Sequence, residues 1–216
     1  MRPTVPPGPA ADAPAGGARI RHYQPGDAPA LYQICLRTGD RGEDATGHYT
    51  DPDLLGHVYV GPYLALAPRF AFVLDDGAPV GYALGVPDTA EFARACERSW
   101  WPPLRQRYPD PADVPAHQRT PDQQVAALIH HPPIPGPALL ARYPAHLHID
   151  LLPQAQGRGH GRALMTRLLA ALAEAGASGV HLGVAAANRR AIGFYRRLGF
   201  AEVERSPGGL MMAMPL

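Results

Sequence analysis

Gln156-Gly157-Arg158-Gly159-His160-Gly161 is the most informative stretch of the chain. It stands between an alternating apolar run, Ala145 to Leu152, and a helical pattern, Arg162 to Ala175. A strand that leads through a glycine-rich turn into a helix forms an anion site, because the first amides of a helix have no intrahelical partner and the macrodipole adds positive charge. Glycine also lacks the Cβ atom that would keep a phosphate away from those amides. The turn therefore predicts a pyrophosphate cradle, with Arg158 and Arg162 beside it.

Two other phosphate-binding motifs do not fit this turn. A P-loop ends in Gly-Lys-Ser or Gly-Lys-Thr, and no such ending follows the glycines. A dinucleotide fingerprint needs an acidic residue about twenty positions later at the end of a strand, which this chain lacks. Because tight turns often use glycine, the phosphate interpretation needs support from the rest of the chain.

The segments after the turn alternate between helix and strand. Gly176 closes the first helix, and Val180 to Val184 is typical of a strand. A helix over Asn188 to Leu198 follows, and then two strands over Phe200 to Glu204 and Leu210 to Met214. Strand, helix and strand at this spacing predict a right-handed crossover in an α/β sheet.

The segments before the turn predict a strand, a helix and a hairpin. Arg19 to Tyr23 is typical of a strand, and Asp27 is expected to cap a helix over Ala28 to Thr38. Phe70 to Leu74 and Val80 to Val86 flank a turn of two aspartates and a glycine, which is the plainest hairpin pattern in the chain.

A proline-rich insertion, residues 102–144, separates this hairpin from the strand before the glycine turn. Asp88 is expected to cap a helix just before it, and the prolines from Pro102 to Pro115 exclude regular structure in its first part. Thr120-Pro121 restarts a helix that runs to about His130. Since so long a connection is unusual inside a compact domain, we expect the insertion to be a lid or a substrate wall.

Length and composition indicate one globular domain. The 216 residues fit a single domain over 19–216, after a Pro-, Ala- and Gly-rich stretch, 1–18, that we expect to be a disordered tail and not a signal peptide. A formal charge of +1 gives no basic field for nucleic acid, and no stretch reaches the roughly 20 apolar residues of a membrane span. Cys35 and Cys96 lie in apolar helical segments, so we expect reduced thiols and a cytoplasmic location.

Three polar residues mark one face of the strand before the turn. His146, His148 and Asp150 alternate with apolar residues, so they share a face. Polar groups on a central strand are costly unless they line a cleft, and partial burial would raise the pKa of Asp150 toward neutrality. Asp150 is therefore the first candidate for a general base, and His148 the second because its ordinary pKa is near neutrality. Structural histidines and a capping aspartate are the alternative.

The histidines also raise the question of a zinc site. His146, His148 and the His130-His131 pair are the closest approach to a ligand set. No other residue pattern supports one, so we predict that the chain holds no metal.

The glycine turn and the helix after Asn188 together resemble motifs A and B of the GCN5-related N-acetyltransferase (GNAT) superfamily. The matching pattern is Gln156-x-x-Gly159-x-Gly161, then Asn188 and Phe194-Tyr195…Leu198-Gly199-Phe200. The resemblance implies the GNAT fold, an α/β (α+β) architecture with a central mixed, twisted sheet flanked by helices. It also implies an acyltransferase, an N-acetyltransferase that moves acetyl directly from acetyl-CoA to an amine.

The resemblance also implies a role for individual residues. Tyr195 would be the general acid, because a phenol with a pKa near 10 can protonate a departing thiolate, or else a core aromatic. Asn188 would bond the cofactor's amides and could equally be a helix N-cap. Leu151 and Leu152 would offer backbone groups to the pantetheine arm. The residues that would hold the pyrophosphate are Gln156, Gly157, Arg158, Gly159, His160, Gly161 and Arg162.

Segments upstream of the turn are similar to the C-terminal acetyltransferase-like domain of eukaryotic O-GlcNAcase. They include Tyr63-Leu64-x-Leu66-x-Pro68, Phe72-Val73-Leu74, Gly81-Tyr82-Ala83-Leu84-Gly85, Ser99-Trp100 and Tyr143-Pro144 with Asp150. The animal domain lacks the glycine-rich acetyl-CoA loop that this chain carries. The resemblance therefore supports the fold, and the retained loop supports cofactor binding.

The acceptor is expected to be a small-molecule or peptide amine. Trp100 and Trp101 begin the insertion and would either wall an acceptor pocket or pack the insertion on the core. Asp40 belongs to an acidic loop, Gly39 to Thr50, that would suit a cationic amine or simply be solvated. A short helix over Asp53 to Tyr59 follows the loop. The alternative function is a regulatory module that binds acetyl-CoA or a peptide without turnover.

Overall fold

One mixed sheet organises the protein, and a computed structural model describes it over residues 17–216. The predicted tail, residues 1–18, lies outside the described residues except for its last two positions. The strands within the described range are β1 (Arg19–His22), β2 (Ala71–Asp75), β3 (Pro79–Val86), β4 (Ala145–Leu151), β5 (Gly179–Ala185), β6 (Ala201–Arg205) and β7 (Gly209–Pro215).

The order of the strands across the sheet is β1-β2-β3-β4-β5-β7-β6. Neighbouring strands are antiparallel except for β4 and β5, which run parallel. Parallel neighbours need a crossover connection, and here a helix supplies it. The predicted mixed sheet with flanking helices is confirmed.

Helices cover both faces of this sheet. In chain order they are α1 (Ala28–Leu36), α2 (Leu54–Tyr59), α3 (Gly61–Leu66), α4 (Thr89–Ser99), α5 (Trp101–Arg107), α6 (Pro121–His130), α7 (Pro137–Arg142), α8 (His160–Glu174) and α9 (Arg189–Arg197). The crossover helix α8 follows the glycine turn, as predicted, and Gly176 ends it with a positive φ of 87°.

The sheet separates two hydrophobic cores. On one face, side chains of α1 to α6 pack against β3, with Leu31 and Ile34 of α1 fully or almost fully buried. On the other face, α8 and α9 pack on the sheet through residues such as Leu164 and Leu168. Strand alternation sends Leu147 of β4 into this second core, as the sequence pattern predicted.

The parallel strands β4 and β5 stay together for only two residue pairs. Ala145 pairs with Val180 and His146 pairs with His181, and the ladder then ends. Beyond this point β5 keeps its pairing with β7 as far as Ala185, and β4 keeps its pairing with β3 as far as Leu151. The two strands therefore split toward their carboxyl ends and leave a wedge in the middle of the sheet.

The predicted cap of the first helix is wrong. Asp27 does not cap α1, because its carboxylate accepts hydrogen bonds from Arg21 at 2.6 and 2.8 Å and from the Gln24 amide at 2.8 Å. Arg21 also donates to Asp75 at 2.7 Å, so this arginine connects β1 both to Asp27 and to the β2–β3 hairpin. The helix itself was predicted correctly but ends two residues early, at Leu36.

The insertion is more regular than its prolines suggested. Pro102 and Pro103 lie in the first turn of α5, where the missing N–H has no intrahelical acceptor. Thr120 caps α6 with a capping box, as expected, and Val125 and Ile129 of that helix are buried in the first core. Residues 102–144 therefore pack as part of the core beside α1, and their prediction as a lid is not supported.

Candidate active site

A cleft of about 660 Å³ occupies the wedge between β4 and β5. Four segments line it: the end of α1 with its following loop, the end of β4, the glycine turn with the start of α8, and the start of α9. The sequence elements singled out at the start thus lie around one space. Side chains of opposite charge line the cleft, and they include the carboxylate of Asp150 and the guanidinium groups of Arg162 and Arg189.

The glycine turn presents unpaired amides to the cleft. Gly157 and Gly159 have positive φ of 76° and 82°, which favours glycine, and α8 begins at His160. Among residues 17–216, no acceptor takes the amide hydrogens of Gly157 through Arg162. At Gly161 an added Cβ would come within 3.3 Å of the Phe194 ring, so a larger side chain would be crowded at this position. These amides have the character that a phosphate or pyrophosphate group needs, and the cradle stays a prediction.

The two leucines before the turn differ in availability. Leu151 faces the wedge, and its carbonyl accepts a hydrogen bond from the Gln156 side chain at 2.6 Å. Both backbone groups of Leu152 are hydrogen-bonded: its amide donates to Val80 and its carbonyl accepts from Ala155, both at 2.9 Å. Leu152 does not line the cleft, so the contact between its backbone and a pantetheine arm stays a prediction without support from the geometry.

Arginines surround the mouth of the cleft. Arg162 lines it as predicted, whereas the side chains of Arg158 and His160 do not. Three further arginines line it from α9, and the sequence interpretation did not assign them a role: Arg189, Arg190 and Arg197. None of these four arginines of α8 and α9 forms an ion pair within the described chain, so their charge is available to an anion.

Asn188 is the N-cap of α9 and also lines the cleft, so its predicted bond to the cofactor's amides stays a prediction. Its Oδ1 accepts the Ala191 amide hydrogen at 3.0 Å, so it is the N-cap of α9. Its Nδ2 points across the cleft toward the loop after α1, where an added Cβ on Gly42 would lie 3.7 Å away. The side-chain amide therefore lies on the cleft surface while the carbonyl oxygen holds the helix.

Asp150 is the carboxylate of the cleft. It lies opposite Tyr82 in the β3–β4 register, and the Tyr82 hydroxyl donates to its Oδ2 at 2.5 Å. Burial raises the pKa of Asp150 to about 6, although the Tyr82 and Thr38 hydroxyls act in the opposite direction. A carboxylate with this pKa is ionised at neutral pH and can still accept a proton, which suits a general base.

The two histidines of β4 do not line the cleft. His148 packs edge-on against the rings of Tyr59 and Tyr63, and burial lowers its pKa to about 4. His146 is held at both nitrogens, by the Tyr63 hydroxyl at 2.6 Å and by the Thr89 hydroxyl at 2.8 Å. His146 is therefore a structural histidine.

The tautomer of His146 follows from its neighbours. The Thr89 hydroxyl donates its hydrogen to the Pro144 carbonyl at 2.7 Å, so toward His146 it can only accept. Nδ1 must then carry the proton, and Nε2 accepts from the Tyr63 hydroxyl. Burial keeps the pKa of His146 well below its ordinary value, so this neutral form is the one present.

Tyr195 joins the second core and the cleft. Its ring packs against Phe194 and Phe200, and the residue is only 8% exposed. The hydroxyl opens to the cleft, because every fully buried side-chain N or O in residues 17–216 has a partner and the Tyr195 hydroxyl has none. Burial and the charge of Asp150 raise the pKa of Tyr195, so the phenol keeps its proton at neutral pH.

The residues proposed for the acceptor side lie elsewhere. Trp101 is buried in the first core, and Trp100 donates from Nε1 to the His57 carbonyl at 2.9 Å. Neither lines the cleft, so both pack the insertion on the core. Asp40 forms a β-bridge with Glu43 and does not line the cleft either. Its neighbours do, and the sequence interpretation did not single them out as site residues: Thr38, Arg41, Gly42 and Glu43.

Two predicted absences concern metal and membrane. Within residues 17–216 no three His, Cys, Asp or Glu side chains come together as a metal site. In the same range, no helix has the length and apolar character needed to cross a bilayer.

Comparison with known proteins identifies the family. The sequence profile of the acetyltransferase (GNAT) family matches residues 30–200, which is most of the chain. The chain belongs to this family, and the resemblance inferred from the glycine turn and the Asn188 helix is confirmed.

Similar proteins were found among characterised sequences and solved structures. Protein O-GlcNAcase of Rattus norvegicus is 29% identical over 191 residues, which are 88% of this chain but 20% of the relative, so the chain spans about a fifth of the length of the curated relatives it matches. The crystal structure of SsHAT is 43% identical, with a TM-score of 0.85 over 92% of this chain and 98% of that one. Naa20 of Chaetomium thermophilum, solved with a bisubstrate analogue, is 19% identical with a TM-score of 0.51 over 92% of this chain and 86% of that one, which shows the fold alone.

The raised pKa of Asp150 predicts a pH-dependent cost in stability. Because the pKa rises from 3.8 to about 6, ionisation is harder in the folded than in the unfolded chain. The cost is absent below pH 3.8, grows between the two values and is complete above pH 6. Asp150→Asn should therefore raise the free energy of unfolding by about 2 kcal/mol more at pH 8 than at pH 4.

Urea unfolding at the two pH values measures this difference. Asp76→Asn, at the exposed hairpin turn, is the matched control and should change stability by less than about 0.5 kcal/mol at either pH. An equal effect of Asp150→Asn at both pH values would contradict the raised pKa.

Proposed function

We propose that this member of the GNAT family transfers the acetyl group of acetyl-CoA directly to an amine in the cleft between β4 and β5. The observation that carries the proposal is the run of unpaired amides from Gly157 to Arg162, which shares one cleft with Asp150 and Tyr195. An anion cradle beside a base and an acid is the arrangement that acetyl transfer from a CoA thioester needs.

The chain's own groups are suited to hold acetyl-CoA. When bound, it supplies a thioester whose acyl carbon an amine can attack. The amides of the glycine turn would bind the pyrophosphate, and Arg162 with the arginines of α9 would add charge-assisted bonds. The side-chain amide of Asn188 and the backbone of Leu151 would face the pantetheine arm.

Asp150 is proposed as the general base. An amine is mostly protonated at neutral pH and must lose a proton before or during attack. Asp150 would accept that proton as the C–N bond forms, with the amine held beside the thioester. It is preferred over His148, because His148 lies among aromatic rings away from the cleft and its pKa of about 4 makes it a weak base.

Tyr195 is proposed as the general acid. As the C–S bond breaks, the sulfur of CoA leaves as a thiolate, and the Tyr195 hydroxyl would give it a proton. A backbone amide of β4 at the wedge would stabilise the oxyanion that forms on the acyl carbon. Both residues return to their starting states when Asp150 releases its proton to solvent and Tyr195 takes up a proton from solvent.

The relatives support the reaction class and leave the acceptor open. Naa20, which shares the fold, was solved with a bisubstrate analogue, and SsHAT shares both fold and much of the sequence. Because the chain spans a fifth of rat O-GlcNAcase, that protein's activity is not assigned here. We propose a small-molecule or peptide amine as acceptor, and a cytoplasmic location from the two buried free thiols, Cys35 and Cys96.

The first test is turnover. Purified protein with acetyl-CoA and a panel of free amines, polyamines and lysine peptides should release CoA thiol, measured with a chromogenic disulfide. Tyr195→Phe should lower kcat by about 100-fold, because the acid is lost, while the Kd for acetyl-CoA stays within about twofold.

The outcomes of this test separate the candidate functions. Tight binding of acetyl-CoA in calorimetry, with no turnover on any amine, would favour the regulatory module over the enzyme. Absence of binding would contradict both.

The second test concerns the cradle. Gly161→Val places a branched side chain beside the Phe194 ring and over the amides, so acetyl-CoA should bind at least about tenfold more weakly, about 1.4 kcal/mol. Calorimetric titration measures the Kd, and circular dichroism checks the fold. Gly26→Val is the control, since its Cβ meets nothing within 4 Å and it lies outside the cleft lining. Near-normal affinity in folded Gly161→Val would rule the cradle out.

The third test assigns the base. In Asp150→Asn the acidic limb of the kcat/KM profile, expected near pH 6, should disappear together with most of the activity. Stopped-assay profiles from pH 5 to 9 measure it. If the limb survives unchanged near pH 6, Asp150 is not the base; a limb that moves toward pH 4 would instead point to His148.

A further inference from the structure

Tyr82 lies behind the cleft and reaches Asp150 from the core. The residue is fully buried on β3, within the first hydrophobic core. Its hydroxyl donates to Oδ2 of Asp150 at 2.5 Å, and the two residues face each other in the β3–β4 register. The ring has no freedom to turn away, because it is packed on every side, so the hydrogen bond fixes one oxygen of the carboxylate.

Tyr82 is also the donor that Asp150 depends on. The nearby Thr38 hydroxyl also lowers the pKa of Asp150, but it bonds the Ile34 carbonyl at 2.8 Å and acts on the carboxylate less than Tyr82 does. Within the described chain, no other hydrogen bond reaches the Asp150 carboxylate. Behind Tyr82 the thiol of Cys35 adjoins the phenol oxygen, which places a line of three polar groups across the core.

We propose that Tyr82 is a positioning residue for the acetyl transfer: it holds one oxygen of Asp150 so that the other faces the amine. The inference rests on the proposed function. Beyond that function, the inference assigns the orientation and proton affinity of Asp150 to Tyr82 of β3, which does not line the cleft.

Several other titratable or charged groups lie near Asp150, and removal of the Tyr82 hydroxyl separates its effect from theirs. Cys35 of α1 faces it through Tyr82, and His148 shares its strand face. Tyr195 faces it from α9 and is sensitive to its charge. The charged groups that share the cleft with it are Arg41, Glu43, Arg162, Arg189, Arg190 and Arg197. All of these stay in place when only the Tyr82 hydroxyl is removed.

The test is Tyr82→Phe. Loss of a hydrogen bond to a charged group raises the proton affinity of that group, so the pKa of Asp150 should rise from about 6 to about 7. In the pH profile, kcat/KM at pH 6 should fall about fivefold further than at pH 8.5, where Asp150 is ionised in both proteins. A purely structural role would lower the melting temperature and leave the acidic limb where it is.

A direct titration keeps this test separate from the proposed function. In protein labelled with ¹³C at the aspartate carboxyls, the Asp150 resonance is assigned with Asp150→Asn and followed with pH. An upward shift in Tyr82→Phe supports the positioning role even if no amine is acetylated, and an unchanged titration overturns it even if turnover is rapid.

Tyr63→Phe is the matched control. Tyr63 is another buried tyrosine, and its hydroxyl bonds His146 instead of Asp150. Its loss should cost stability and leave the Asp150 titration unchanged; an equal shift in both variants would overturn the proposal. If Tyr82→Phe fails to fold, replacement of Tyr82 by 3-fluorotyrosine keeps the shape and strengthens the donor, so the pKa of Asp150 should fall. No change in that protein would also overturn it.

Discussion

The end of the β4–β5 ladder is the constraint on which the site depends. Two residue pairs hold the parallel strands together, at Ala145 with Val180 and His146 with His181. Past them each strand follows a different neighbour, β3 or β7, and the backbone of β4 turns one edge to open space. The glycine turn, α8 and α9 all start from the split ends. The split of the sheet therefore creates the cleft, and the side chains that line it determine its chemistry.

The site combines stabilised and costly groups in a small space. His146 is satisfied at both ring nitrogens and belongs to the packing of the protein. Asp150, four residues further along β4, is buried enough that its ionisation is costly, and it accepts a hydrogen bond from the Tyr82 hydroxyl. The run of amides in the glycine turn is likewise unsatisfied within the described chain. A fold tolerates such groups where binding or catalysis uses them, and both line one cleft.

Local signals in the sequence were enough for the backbone of the site. Glycine spacing predicted the turn, strand alternation put Asp150 and His148 on one face, and Asn188 at a helix start predicted its cap. The local interpretations of Asp27 and Leu152 left out partners that the folded chain brings to them. Asp27 is taken by Arg21, and the Leu152 amide by Val80.

Partners that meet only through the tertiary fold could not be predicted. Tyr82 meets Asp150 because β3 and β4 pair across a long insertion, and no local pattern encodes that register. Arg41 and Glu43 reach the cleft because the loop after α1 crosses to α9. The prolines of α5 misled the prediction for a simpler reason: proline is tolerated in the first turn of a helix as well as in a loop.

The approach of Gly42 to Asn188 has a thermodynamic consequence. Asn188 lies at the start of α9 and Gly42 in the loop after α1, and the two approach each other across the cleft. A ligand that contacts the Asn188 amide and favours one conformation of that loop would also bind more tightly when the loop already has that conformation, because linkage is reciprocal. In the proposed reaction, the binding of one substrate would therefore be coupled to the binding of the other through these two walls of the cleft.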